Sequence, residues 1–171
     1  CLYSSFIKSK SFAAILQEHP CNFTLLNQEG YEVSLYDFIG VPILLDMSTE
    51  WCGYCNIAAK DLLLIKEEYK HYDLEVITIL FENGKGEKPT LEDLKGWAAK
   101  HGVKYDHILS GDKEMLNPEN DKNWPVAGFP TFYMIDEKMT IQEIMAGYNP
   151  SILRSMIESV LLDNEVKDSA K

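Results

Sequence analysis

Ile43-Leu44-Leu45-Asp46-Met47-Ser48-Thr49-Glu50-Trp51-Cys52-Gly53-Tyr54-Cys55 decides how this chain is read. Its first half lies in a nearly continuous apolar run, Val41–Met47, the pattern of a strand buried on both faces. Its second half sets two thiols three residues apart where a helical pattern begins, so the pair can close a small ring as a disulfide and reopen it. A C-x-x-C at a strand–helix junction is the redox arrangement of paired cysteines. A zinc site would need two more ligands at similar spacing. Neither a second C-x-x-C nor an H-x-x-x-H occurs, so no metal is expected.

Downstream, the stripe Ala58, Leu62, Ile65 and Tyr69 predicts a helix over 55–70. Leu74–Phe81 reads as a second central strand, and Thr90 with Asp93 as a capping box opening a helix at Leu91. Lys104–Leu109 fits a short strand, while Asn117–Trp124 is a polar loop without periodicity. Thr131–Ile135 and Thr140–Ala146, joined by a turn at Asp136–Lys138, form an antiparallel pair; Asn149-Pro150 then starts a helix burying Leu153, Ile157 and Val160. Upstream, Phe23–Leu26 and Tyr31–Leu35 flank Asn27-Gln28-Glu29-Gly30 as a hairpin. The order predicts an α/β fold: a central mixed sheet with helices on both faces, an N-terminal β-hairpin, and a helical insertion after the β-α-β unit. Residues 1–20 read as a tether, 21–162 as the domain and 163–171 as a charged tail.

Composition narrows the function classes. The 171 residues are 46% hydrophobic and 25% charged, ordinary for a globular domain. A net charge of −11 argues against nucleic acid, whose phosphates would repel it. The apolar runs fall well short of the ~18 residues a membrane span needs. Cys1 resembles the lipid-bearing first residue of bacterial lipoproteins, which predicts a membrane tether; an arbitrary chain start and a Cys1–Cys21 disulfide are the alternatives. The four histidines show no spacing suited to a metal or a Cys–His dyad and read as surface or helix-end residues.

Together, Ile43-Leu44-Leu45-Asp46 before Trp51-Cys52-Gly53-Tyr54-Cys55, the hairpin ending in Val33-Ser34-Leu35, the long segment between the central strands, and Gly128-Phe129-Pro130-Thr131 resemble a thioredoxin-like fold. More narrowly, they resemble the TlpA/ResA branch of bacterial thiol–disulfide oxidoreductases, over roughly 23–162. Cys52, at a helix N-terminus, meets unpaired N–H groups and the positive dipole end, which favour thiolate, so it is the expected nucleophile. Cys55, one turn in, would resolve the mixed disulfide. The resemblance implies that Asp46, a buried acid in an apolar strand, serves Cys55 as a base of raised pKa; a strand-terminal Asp satisfying loop amides is the plainer alternative. It also implies a cis Pro130 beside the cysteines, freeing the Phe129 and Thr131 backbone to pair with an extended substrate. Trp51, Gly53 and Tyr54 would frame the docking surface, although Trp51 could equally be core.

The resemblance implies an extracytoplasmic enzyme, acting as a monomer and without a cofactor. It would exchange disulfides with protein substrates, draw electrons from a membrane-bound donor protein, and reduce secreted proteins, apocytochrome c among them. Cys-Gly-Tyr-Cys also resembles the loop of disulfide isomerases, so an oxidase or isomerase is the second reading. A redox-inert peptide-binding module is the third. A peroxidase of this fold needs P-x-x-x-[ST]-x-x-C, and Leu45 stands where that proline belongs.

Overall fold

Alternation along Ile43–Ser48 splits the molecule into two cores, because successive side chains of a strand point to opposite faces. In the computed structural model, which describes residues 15–105 and 107–168, this strand (β3) is the centre of a five-stranded sheet. Ahead of it, β1 (Thr24–Leu26) and β2 (Glu32–Ser34) form the expected antiparallel hairpin as a separate two-stranded sheet. The rest are α1 (Gly53–Glu68), β4 (Glu75–Leu80), α2 (Leu91–His101), β5 (Ile108–Ser110), β6 (Thr131–Ile135), β7 (Ile141–Ala146) and α3 (Pro150–Asp168). The sheet order is β5-β4-β3-β6-β7, with β3, β4 and β5 parallel and β6 and β7 antiparallel to their neighbours. Cys1 and the rest of 1–14, with 169–171, lie outside the described residues, so the lipidation expected at Cys1 falls there too.

Helices α1, α2 and α3 share one face. Ala58 and Leu62 of α1, Trp97 of α2 and Leu153 of α3 enclose one core with Leu44 and Phe132 of the sheet. The expectation of helices on both faces needs revising here, for a physical reason. The chain steps from β3 to β4 to β5 in one direction, and right-handed crossovers in one direction put their helices on the same side. The opposite face, lined by Leu45, Ile77 and Tyr133, is covered by Ile15, by Phe23 and Val33 around the hairpin, and by Trp124. Trp124 lies in the loop read as merely polar. It is buried, edge-on to Tyr133 and tilted against Phe23.

Three local features fix the path. Thr90 caps α2 as a capping box with Asp93, and Gly102 ends it at φ 72°. Beyond β5 the chain turns back at Gly111, whose N–H donates to the Leu80 carbonyl at 2.8 Å. A Cβ there would stand 2.7 Å from Ile79 Cγ2 and 2.8 Å from Phe81 Cδ1, so only glycine admits this approach. At the sheet margins, Gln17 and Glu18 exchange backbone hydrogen bonds with Ile141 at the start of β7, while Asn27 bridges Leu109 of β5. Gln28 ties the same margin, donating to the Tyr105 carbonyl and accepting from the Ile108 N–H.

Candidate active site

The turn between β3 and α1 delivers both cysteines to the C-terminal end of the sheet. Cys52 is the N-cap of α1: its backbone is extended, and its Sγ accepts the Cys55 N–H at 3.2 Å. Cys52 and Cys55 are joined as a disulfide, with Cα atoms 5.2 Å apart. Cys52 keeps 7% of its surface exposed, whereas Cys55 is fully enclosed by the helix-side core. The difference in access is what an attacking and a resolving sulfur require.

Phe129–Pro130 is a cis peptide bond, and the Phe129 carbonyl oxygen lies 3.4 Å from Cys52 Sγ. In the dithiol form that thiol could donate to it. Pro130 is buried. Thr131 is buried as well, its hydroxyl turned to the Gly128 carbonyl at 2.7 Å, so its side chain does not reach the surface. Trp51 and Tyr54 stand out into solvent, 56% and 64% exposed, and the core alternative for Trp51 is thereby removed. Trp51 lies edge-on to Phe129, its indole N–H donating to Glu82 at 2.5 Å, and Glu82 is held in turn by Lys113. Gly53 leaves open space above the first turn of α1.

Asp46 is wholly buried on β3. It is mid-strand and binds no loop amide among the described residues; its partners are hydroxyls, Ser48 Oγ at 2.6 Å and Thr78 Oγ1 at 3.2 Å. The second follows from strand register, since Asp46 pairs with Thr78 across β3 and β4. Tyr105 stands behind Thr78, its hydroxyl 3.5 Å away. Burial drives the Asp46 carboxyl from 3.8 to about 7, the two hydroxyls holding it back from rising further. Ser48 is two residues on in the same strand, and period-two alternation could have flagged it. Thr78 needed the register.

Two further residues bear on this turn. Glu50 is only half exposed and accepts the Gly84 N–H at 2.8 Å; burial still pushes its carboxyl upward. His101, read as a surface or helix-end residue, ends α2 and is buried, its ring tilted at 60° to that of Trp97 with centroids 4.3 Å apart. Among the described residues, no group of three or more His, Cys, Asp or Glu is placed to hold a metal ion.

Comparison with known proteins decides the lineage: residues 16–144 match the model of the AhpC/TSA family. The chain belongs to that family. Among curated relatives, the thiol-disulfide oxidoreductase ResA of Geobacillus thermodenitrificans is 25% identical over 146 residues, covering 85% of this chain and 77% of the relative. The thioredoxin-like protein YneN of Bacillus subtilis is 27% identical over 147 residues, covering 85% and 79%. In fold, a thioredoxin-family thiol:disulfide interchange protein from Chlorobium tepidum superposes with a TM-score of 0.67 at 15% identity, over 84% of this chain and 95% of that one. This AhpC/TSA chain is a thioredoxin-fold thiol–disulfide oxidoreductase of the ResA/TlpA type, as its motifs predicted. Its family membership brings no peroxidase signature, because Leu45 remains at the position of the required proline.

Proposed function

We propose that this protein reduces disulfides of extracytoplasmic protein substrates, with Cys52 as nucleophile, Cys55 as resolving thiol and Asp46 as the base that serves it. The observation that carries the reading is the unequal setting of the two sulfurs: Cys52 at the helix cap within reach of solvent, Cys55 sealed beneath it. In the dithiol form, the Cys52 thiolate attacks one sulfur of a substrate disulfide. A mixed disulfide forms and the other substrate sulfur leaves as thiolate. Cys55 then passes its proton to Asp46 and attacks the Cys52 sulfur, closing the protein disulfide and releasing the second substrate thiolate. Two electrons move to the substrate, and a dithiol donor protein must return them.

An acid near neutrality suits this step, since it can take a proton at working pH and give it up again. Phe129 and Pro130 with the exposed Trp51, Gly53 and Tyr54 form the surface over which an extended substrate would lie. The kinship with ResA-type proteins supports an extracytoplasmic setting, a membrane-bound donor and action as a monomer, with secreted proteins such as apocytochrome c as substrates.

Cys-Gly-Tyr-Cys keeps an oxidase or isomerase as the second reading, and a titration of the Cys52–Cys55 couple against glutathione separates the two. A potential near thioredoxin's ~−270 mV supports the reductase; one of about −120 to −180 mV supports an oxidant or isomerase. Cys52→Ser should abolish exchange and Cys55→Ser should trap mixed disulfides, visible on non-reducing gels. Equal residual turnover in both variants contradicts the roles. Asp46→Asn should slow resolution more than attack, and an unchanged pH–rate profile removes Asp46 from the mechanism.

A further inference from the structure

Asn56, immediately after Cys55, spends its whole hydrogen-bonding capacity on the active-site turn and on α2. Its Nδ2 donates to the Glu50 carbonyl at 2.9 Å and to the Cys52 carbonyl at 2.8 Å. Its own backbone N–H donates to the same Cys52 carbonyl at 3.1 Å. On the other side, Oδ1 accepts from Lys100 Nζ at 2.6 Å and faces His101 Nε2 at 3.1 Å. The amide orientation follows from chemistry: an ammonium only donates and a carbonyl only accepts, so oxygen must face Lys100 and nitrogen the turn. His101 therefore carries its proton on Nε2. Burial, together with Lys100 and Lys60 nearby, pushes the pKa of its ring downward, and the buried Nδ1 has no hydrogen-bond partner among the described residues.

Two effects on Cys52 follow. The cap geometry that presents Sγ to the helix N–H groups is held by a side chain of the first turn of α1, which is itself anchored to α2, through carbonyls on both sides of Trp51. In addition, Lys100 is brought to the turn that contains Glu50, an acid two residues before Cys52 whose negative charge would oppose a thiolate there. Lys100 acts on Glu50 as a favourable charge, and Asp93 as an unfavourable one.

We propose that Asn56 is a positioning residue that fastens the Glu50–Cys52 turn to the end of α2 and so sets the reactivity of Cys52, with Lys100 as counter-charge. The inference rests on Cys52 being the attacking sulfur. It assigns the polar end of the second helix, and not only its core-facing Leu94 and Trp97, a part in the chemistry.

The test is the pH dependence of iodoacetamide alkylation of the reduced full chain. Asn56→Ala removes both links. At pH below the midpoint it should alkylate about three- to tenfold more slowly, the scale of a helix-terminus effect on a thiolate. Lys100→Met should give a smaller shift of the same sign that disappears in high salt, and Lys100→Arg should restore the wild-type midpoint. Unmoved midpoints in Asn56→Ala and Lys100→Met overturn the proposal. A shift in the first without one in the second overturns the counter-charge. If Asn56→Ala fails to fold, the exposed Lys100 pair still decides. Cys52→Ser separates the two levels. If it retains exchange activity, the reading of Cys52 fails; if it is inactive while the Asn56 and Lys100 variants match wild type, only this inference fails.

Discussion

Asp46 shows how a single side chain can work against the fold that carries it. In the folded protein its proton is held up to about 7, whereas the unfolded chain releases it near 3.8. Below the lower value the group is protonated in both states and costs nothing by titration. Between the two values the folded state binds the extra proton, so stability falls as pH rises, and above the upper value the loss is complete. The gap corresponds to a penalty of up to about 4 kcal/mol. Asp46→Asn, measured as the oxidised protein by urea denaturation, should therefore be more stable than wild type at pH 8 and gain little at pH 4. A gain independent of pH would assign the effect to packing instead. The acid itself was legible in the sequence because a charge interrupts an apolar strand. The hydroxyls that hold its titration near neutrality were not all legible, because Thr78 meets it only through the pairing of β3 with β4.

At the scale of elements, periodic segments were the readable ones. The α1 stripe, the Thr90–Asp93 capping box and Pro150 at the start of α3 each carry a local signal, and each element formed where that signal lay. The connection from β5 to β6 carries none, because its order comes from distant contacts: Met115, Val126 and above all Trp124 settle on a core built from other strands. The burial of His101 at the end of α2 likewise depends on α1 meeting α2. The turn into that connection gives the sharpest test. Gly111→Ala forces a methyl against Ile79 and Phe81 with the Leu80 carbonyl 3.0 Å away, and should cost about 1–3 kcal/mol. An unchanged urea midpoint would mean that the strand ends yield freely.

For the molecule as a whole, the two faces of the sheet divide the labour. The helix side holds both cysteines, while the far side is closed by segments remote from one another in sequence. Trp124→Ala should remove about 3–5 kcal/mol, since it opens a large hole beneath Phe23 and against Tyr133. The potential of the Cys52–Cys55 couple should stay close to wild type in the same variant, and a large change in potential would show that the faces are coupled. Arg154, on the helix side, ties Asp61 and Glu68 of α1 to α3, and its guanidinium holds the Asp61 carboxyl below its ordinary range. The fold class was legible because strand and helix periods alternate along most of the chain. The placement of α1 and α2 on one side follows instead from strand order.

The backbone links of Gln17 and Glu18 to Ile141, and of Asn27 to Leu109, sit at the two outer strands. An outer strand that shows a bare ladder of amides invites pairing by an extended chain. Here a plug of the protein's own backbone obstructs each flank, at the start of β7 and along β5. Edge-to-edge pairing with a second chain is thereby hindered at both rims.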